Sequence, residues 1–387
     1  MYRTMARVAE HLMPGSREPD CPLAIAHDYL TQRGGAERVV LALHRIFPEA
    51  PIYTTLYDPD ATFPEFKDAD IRTSALNRIG LLRRNHRLAL PLLPLVSTMF
   101  RVPARLTVVS STGWAHGFRA TGKMVVYCHS PARWLYLSDQ YMGEGAEAKA
   151  VGLFLRVLKP SLIRWDKWAA RRLDQPYIAN STVVRDRIRA AYGVAAPVIH
   201  PPQSVDAQEA QAPVPGFGPE DGGFFLVVAR LLPYKNVHRV IEAVRGTRHR
   251  LVVVGTGPLE QELRSRAPAN VRMLHNLDDA QMRWCYAHCS AVVAVSHEDF
   301  GIAPLEGAAF GKPTIALRAG GFLDTVGSGE TGAFVDSPTP AGIRRALDQF
   351  DPSRFDGEVL RQHAEEFGQA RFEDQLRTIL RDLGEEV

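Results

Sequence analysis

Cysteine is scarce in this chain. There are four in 387 residues, Cys21, Cys128, Cys285 and Cys289, too few for a disulfide framework at this length. Cys285 and Cys289 stand at helical spacing in Trp-Cys-Tyr-Ala-His-Cys, with His288 alongside. No second Cys/His cluster follows, so small apolar residues on a helix outweigh a zinc site. A reducing compartment and no structural metal are the expectation. No uninterrupted apolar run reaches the length of a membrane span. The first twenty residues lack the apolar core of a signal peptide and read as an extension outside the folded part. The cytoplasm is therefore the expected address. Acidic residues are missing from one long stretch: no Asp or Glu occurs between Ile71 and Ser138.

What is present is ordinary for a soluble enzyme: 45% hydrophobic and 23% charged residues, net charge +3. The length suits two domains. Regular structure begins at Pro22–Leu30, an apolar strand that breaks into the loop Thr31–Arg38. A helical pattern follows over 37–47, which is the opening of a Rossmann-like unit. Further strands are expected at 106–111, 123–129 and 175–181, with helices near 151–173 and 182–192. Residues 203–223, rich in Pro, Gly, Gln and Ala, lack apolar periodicity and read as a linker.

The alternation then restarts: strand 224–230, helix 236–244, strand 249–257, and a helix over 258–267 opened by Pro258. More strands are expected in Val271–Leu277, Ser290–Ser296 and Lys312–Arg318, and an amphipathic helix over 372–383. Apolar runs such as Val252–Val254 and Val292–Val295 suit strands covered on both faces, as in parallel sheets. The reading is α/β, with two doubly wound domains facing a central cleft. Residues 21–205 form the first domain, 206–222 the linker and 223–362 the second. Residues 363–387 are expected to pack back on the first domain.

Glu298 and Glu306 stand eight positions apart in His-Glu-Asp-Phe-Gly-Ile-Ala-Pro-Leu-Glu. Pro304 can open a helix because its missing N–H is not needed there. Glu298 then falls in a loop and Glu306 in a first helical turn. The backbone between them, Gly301, Ile302 and Ala303, offers N–H groups to an anion such as a phosphate. A helix-terminal glutamate answering the dipole explains Glu306 alone, but not the whole string. Arg230, at a strand end, and Lys235, five residues on, could be solvated loop charges. As a pair in this context they suit a departing diphosphate.

These stretches resemble the retaining glycosyltransferases of family 4, which have the GT-B fold. The Glu-x7-Glu string resembles that family's motif, and Gly-Gly-Ala-Glu-Arg-Val (34–39) its N-terminal glycine loop. Residues 227–244, 251–263 and 311–326 also match, and the resemblance runs over roughly residues 22 to 383. It implies that Arg230 and Lys235 hold a donor diphosphate, with the Gly34–Gly35 loop and the Gly301–Ala303 amides nearby. It gives Glu306 to the ribose, Glu298 to the transferred sugar and the backbone near Leu277 to the base. Glu37 falls to the acceptor side. His275 and Asp324 depart from the family's usual residues. The pair Glu298/Glu306 is then not an acid and a base. Same-face attack assisted by the diphosphate and double displacement through Glu298 both stay open. No Asp-x-Asp pair was seen at an expected strand end, which suits transfer without a metal or other cofactor.

Tyr127-Cys-His-Ser-Pro-Ala-Arg133 resembles the pattern of mannosyltransferases that extend lipid-linked oligosaccharides. His129 alone would be structural. In this loop it is a candidate for the reaction centre, and Arg133 for an acceptor phosphate. The donor favoured is GDP-mannose, with a UDP-sugar as the other option. The acceptor favoured is a polyprenyl-diphosphate saccharide.

The acid-free stretch includes Arg83, Arg84 and Arg87 among Leu and Ile residues. It could lie on an anionic bilayer at the inner face of the cell membrane, or be core packing ringed by solvated arginines. Nucleic acid is disfavoured, because aromatics are not interleaved with these arginines. Three other readings remain: a soluble acceptor, a nucleotide-sugar-binding scaffold without turnover, and an epimerase on the same fold.

Overall fold

The computed structural model describes residues 21–89, 92–137, 146–172, 175–203, 205–217 and 223–385. The expected N-terminal extension lies outside them, as does the stretch 218–222 at the end of the expected linker. The chain falls into two compact units. One runs to Tyr127 and takes in Arg164–Tyr177; the other comprises Cys128–Ile163 and the chain from Ile178.

Two six-stranded sheets carry the fold. The first contains β1 (Cys21–His27), β2 (Ile52–Thr54), β3 (Ile71–Thr73), β5 (Ala104–Ser111), β7 (Lys123–Cys128) and β8 (Tyr177–Ala179), in the order 3-2-1-5-7-8. Two short strands, β4 (Arg101–Val102) and β6 (Arg119–Ala120), pair separately. β1 lies parallel to both β2 and β5, so that Ile25 faces Ile52 on one side and Val108 on the other.

The second sheet is β9 (Phe224–Val228), β10 (Leu251–Val254), β11 (Val271–Leu274), β12 (Cys289–Ala294), β13 (Thr314–Leu317) and β14 (Gly332–Val335), in the order 11-10-9-12-13-14. All five of its pairings are parallel. Each sheet thus grows outward from its first strand in both directions. Chain order reverses beside β1 in the first and beside β9 in the second, and such a reversal opens a crevice outside the strand carboxyl ends.

The apolar runs explain the second sheet. Phe225, Val227, Val253 and Val293 enter one buried cluster, and Phe224, Leu226, Val252 and Val292 enter another. Alternate residues point to opposite faces, so both faces are covered, as parallel sheets require. Each such side chain contributes about 1.5–3 kcal/mol relative to exposure.

Helices α1 (Gly35–Ile46), α2 (Gly80–Arg84), α3 (Leu93–Met99), α4 (Arg133–Tyr136), α5 (Ala146–Arg171) and α6 (Thr182–Tyr192) belong to the N-terminal half of the chain. Then come α7 (Val237–Val244), α8 (Glu260–Arg266), α9 (Asp279–His288), α10 (Ala303–Ala309), α11 (Phe322–Thr325), α12 (Pro340–Gln349), α13 (Gly357–Glu365) and α14 (Gln369–Asp382). Pro258 does not open its helix: α8 starts two residues later, capped at Leu259. No described helix is long and apolar enough to cross a membrane.

Candidate active site

The switch point of the second sheet gathers much of the chemistry expected from sequence. Beyond β9 the chain reaches Arg230, which is exposed, and among the described residues no acid pairs with its guanidinium. A short turn, Pro233–Lys235, follows and ends at Asn236 in the left-handed region (φ 57°). Asn tolerates that conformation because its short polar side chain can bond locally. Here Asn236 Nδ2 donates to the carbonyl of Val295, just past β12, at 2.9 Å. The turn is thereby tied across the reversal, and Lys235 Nζ meets Glu298 Oε1 at 2.5 Å.

Ser296 Oγ also donates to Glu298. Burial pushes the Glu298 carboxyl up, but Lys235, Arg133 and the bonds from Lys235 and Ser296 outweigh it and hold it below the usual carboxylate range. An ionised Glu298 beside a lysine is suited to steadying positive charge on a sugar, not to giving up a proton.

Arg133, the first residue of α4, lies against Asp299 rather than in open space, and Arg187 of α6 pairs with the other oxygen of the same carboxylate. Ser181 Oγ donates to the Asp299 carbonyl at 2.5 Å. Asp299, Ser181 and Arg187 were not singled out from sequence. Asp299 sat inside the quoted motif between the two glutamates, but its partners are remote in sequence and no pattern announced them. Asp324 accepts from the Thr182 N–H at 2.7 Å and Oγ1 at 2.5 Å, with His200 Nε2 at 3.8 Å. Burial raises the Asp324 carboxyl, and the His200 and Thr182 contacts bring it below its ordinary value.

Glu306 lies in the first turn of α10, as expected, with Pro304 at the helix start. It is buried, and Tyr286 Oη donates to its Oε2 at 2.5 Å, so one oxygen is already engaged. Gly301 has φ 83°, and a Cβ there would come within 2.4 Å of the Phe322 ring. The loop entering α10 therefore requires glycine. His129 follows β7 directly and is buried. Leu277 is partly buried against the cluster around Trp284. His275 Nδ1 lies 2.8 Å from Glu260 and 2.9 Å from Arg264.

In the first unit, Glu37 does not face outward as an acceptor-binding residue would. It is buried, accepts from Gln32 Nε2 at 3.0 Å and lies 3.9 Å from His27 Nε2. Its other oxygen has no hydrogen-bond partner. That oxygen explains Gly34, where a Cβ would sit 2.5 Å from it, whereas the space at Gly35 is open. Only Gly35 leaves room for a ligand. His27 Nδ1 lies 2.9 Å from the Ser110 carbonyl. Burial alone would lower the His27 pKa, but Glu37, Asp28 and the Ser110 carbonyl together raise it.

Two Asp-x-Asp pairs, Asp58/Asp60 and Asp68/Asp70, do lie beside the ends of β2 and β3, strands the sequence reading did not foresee. Asp70 is engaged by Arg72 at 2.9 Å. Among the described residues no three His, Cys, Asp or Glu side chains cluster to hold a metal ion. Cys285 and Cys289 are buried thiols, each pushed up to about 12 by burial.

Two family models match the chain in tandem: glycosyltransferase family 4 over residues 33–208 and glycosyl transferases group 1 over 212–368. This chain belongs to the family-4 glycosyltransferases. Its GT-B fold matches the Anabaena protein HepE, solved with UDP-glucose, at TM-score 0.68 and 17% identity over 93% of this chain and 99% of that one. The D-rhamnosyltransferase WbpZ of Pseudomonas aeruginosa is 39% identical over 132 residues, covering 32% of this chain. That match spans 35% of the relative's length. Human alpha-1,3/1,6-mannosyltransferase ALG2 is 26% identical over 82% of this chain and 84% of its own.

Proposed function

We propose that this glycosyltransferase is a retaining hexosyltransferase, independent of metal, that moves mannose from GDP-mannose to a lipid-diphosphate-linked saccharide in surface polysaccharide or glycolipid assembly. The observation that carries the reading is the charge arrangement at the β9/β12 switch point: an exposed Arg230, with no acid paired to it among the described residues, and a Lys235–Glu298 pair. A diphosphate arriving there meets the exposed Arg230 and a lysine held ready by a carboxylate. When Lys235 turns to the phosphate, Glu298 keeps its bond from Ser296 and faces the sugar as its positive charge develops. In this reading Glu306 holds the ribose, backbone near Leu277 the base, and the Gly301–Ala303 amides the phosphates. His129 lies at the reaction centre. Mannose is favoured by the named activity of ALG2, while HepE, solved with UDP-glucose, keeps UDP-sugars in the test.

The membrane part of the reading rests on the first unit. Ile79, Leu81, Leu88, Leu92, Leu95 and Met99 are exposed large apolar side chains within one short stretch. In α3 only Leu93 and Ser97 are buried. Core packing does not explain residues left in solvent, and exposed Arg84, with half-buried Arg83, supplies the charge an anionic surface would attract. The side chain of Arg87 lies outside the described ones. These exposed side chains support the proposal of a peripheral site on the inner face of the cell membrane.

Transfer is tested with GDP-mannose and UDP-glucose, with and without EDTA, on a polyprenyl-diphosphate saccharide. Proton NMR of the product reads the anomeric configuration. A product made from GDP-mannose in EDTA with configuration retained supports the reading, and inversion or abolition by EDTA contradicts it. Transfer only to a water-soluble acceptor would move the account to the soluble-acceptor alternative.

A further inference from the structure

We infer that Asp299 is a positioning residue for the transfer site: its carboxylate draws the Arg133 guanidinium off Glu298 and, together with Arg187, fixes it beside the donor-binding charges. The inference rests on the glycosyl-transfer reading above and assigns a role to groups that reading does not use.

Three cations and two carboxylates meet here. Glu298 is bonded by Lys235 and Ser296, and Asp299 by Arg133 and Arg187. The two arginines come from different segments, the start of α4 and the middle of α6, and Asp299 is the carboxylate they share. Its side chain is 12% exposed, with Arg133 at 18% and Arg187 at 25%. At that depth a guanidinium bound to a carboxylate through charge-assisted bonds holds one direction.

Were the Asp299 charge absent, Arg133 would be left beside Glu298, the residue adjoining Asp299 in the chain, whose charge it already influences. Glu298 would then gain a second cation. Its field on a developing sugar cation would be spent on Arg133, and Lys235 would be freed from it. The two neighbouring acids thus divide the cations between them, one arginine pair to Asp299 and one lysine to Glu298.

The loop that carries both acids is held independently of these charges. The Gly321 N–H donates to the Glu298 carbonyl at 3.0 Å, and a Cβ on Gly321 would stand 2.3 Å from the Phe300 Cα. On the other side Ser181 holds the Asp299 carbonyl. Removing the carboxylate therefore releases the arginines and leaves the loop in place. This separates a positioning role from a merely structural one.

The test compares Asp299→Asn and Asp299→Glu with the wild-type chain in single-turnover and steady-state transfer. Asp299→Asn should lower kcat by about tenfold to a hundredfold, the loss expected from a misdirected group. Its KM for the donor and its affinity for the nucleoside diphosphate should stay within about twofold. Asp299→Glu, which keeps the charge, should recover part of the loss. Wild-type kcat in Asp299→Asn would overturn the inference. So would equal losses of kcat, nucleotide affinity and melting temperature in both variants, which would mark Asp299 as structural. A wild-type chain that transfers no sugar from any donor would instead overturn the glycosyl-transfer reading, and the inference with it.

Discussion

Arg230 and Lys235 stand five residues apart in sequence, but the structure gives them different starting states. Arg230 is exposed beside β9 with no acid paired to it among the described residues, and Lys235 is committed to Glu298. Arg230→Ala should therefore leave the melting temperature unchanged and reduce kcat/KM by about a hundredfold or more, the scale of a lost charge stabiliser in a transition state. Steady-state kinetics beside a thermal melt checks both halves.

Glu298 makes a pH prediction. Its pKa is depressed in the folded chain, so its ionised form adds stability above the ordinary carboxylate range, and that stability is lost as pH falls through the lowered value. Glu298→Gln should be less stable near neutrality, and its melting temperature should fall less steeply with acid. Melts between about pH 7 and about pH 3 read the difference. A parallel pH dependence in the two proteins would contradict the charge assignment. Glu298, Glu306, Arg230 and Lys235 were visible in sequence because their motif spacing is local. Asp299, Arg187, Ser181 and Tyr286 were not, because each acts through a partner distant in the chain.

At the scale of elements, the glycine loop of the first unit separates two jobs that sequence merged. A Cβ on Gly34 would meet the inward carboxylate of Glu37, whereas Gly35 opens on free space. Gly34→Ala should cost about 1–3 kcal/mol through overpacking and lower the melting temperature by a few degrees. Gly35→Ala should melt like wild type and lose turnover if a ligand uses that space. Equal melting temperatures for the two variants would contradict the assignment.

The long elements were legible. Helix α6 has the expected bounds, and β5, β9, β10 and β12 lie within a few residues of their apolar runs. The three-residue strands β2 and β3 were missed because so few residues show no period, and β14 because it starts on a glycine amid turn residues. Glu37 illustrates a second limit: sequence placed it on the right helix but could not say that it points inward, at His27.

At the scale of the whole molecule, the two doubly wound sheets were readable from alternation and from runs buried on both faces. The basic segment was readable as a choice between a membrane face and core packing, and the exposure of Ile79, Leu81, Leu88, Leu92, Leu95 and Met99 supports the membrane proposal. Replacing Leu81, Leu95 and Met99 with Ser should weaken sedimentation with anionic liposomes by about tenfold or more without lowering the melting temperature, since burial of such side chains in a bilayer drives association. Unchanged binding would detach the chain from the membrane account.

The central claim is that a nucleoside-diphosphate sugar sits at the β9/β12 switch point with Arg230 on its phosphates. Calorimetric titration of the wild-type chain and Arg230→Ala with GDP-mannose and UDP-glucose tests it most directly. The account predicts that the wild-type chain binds GDP-mannose in preference and that the variant binds it at least about tenfold more weakly. No binding of either donor, or equal affinity in the two proteins, would contradict it.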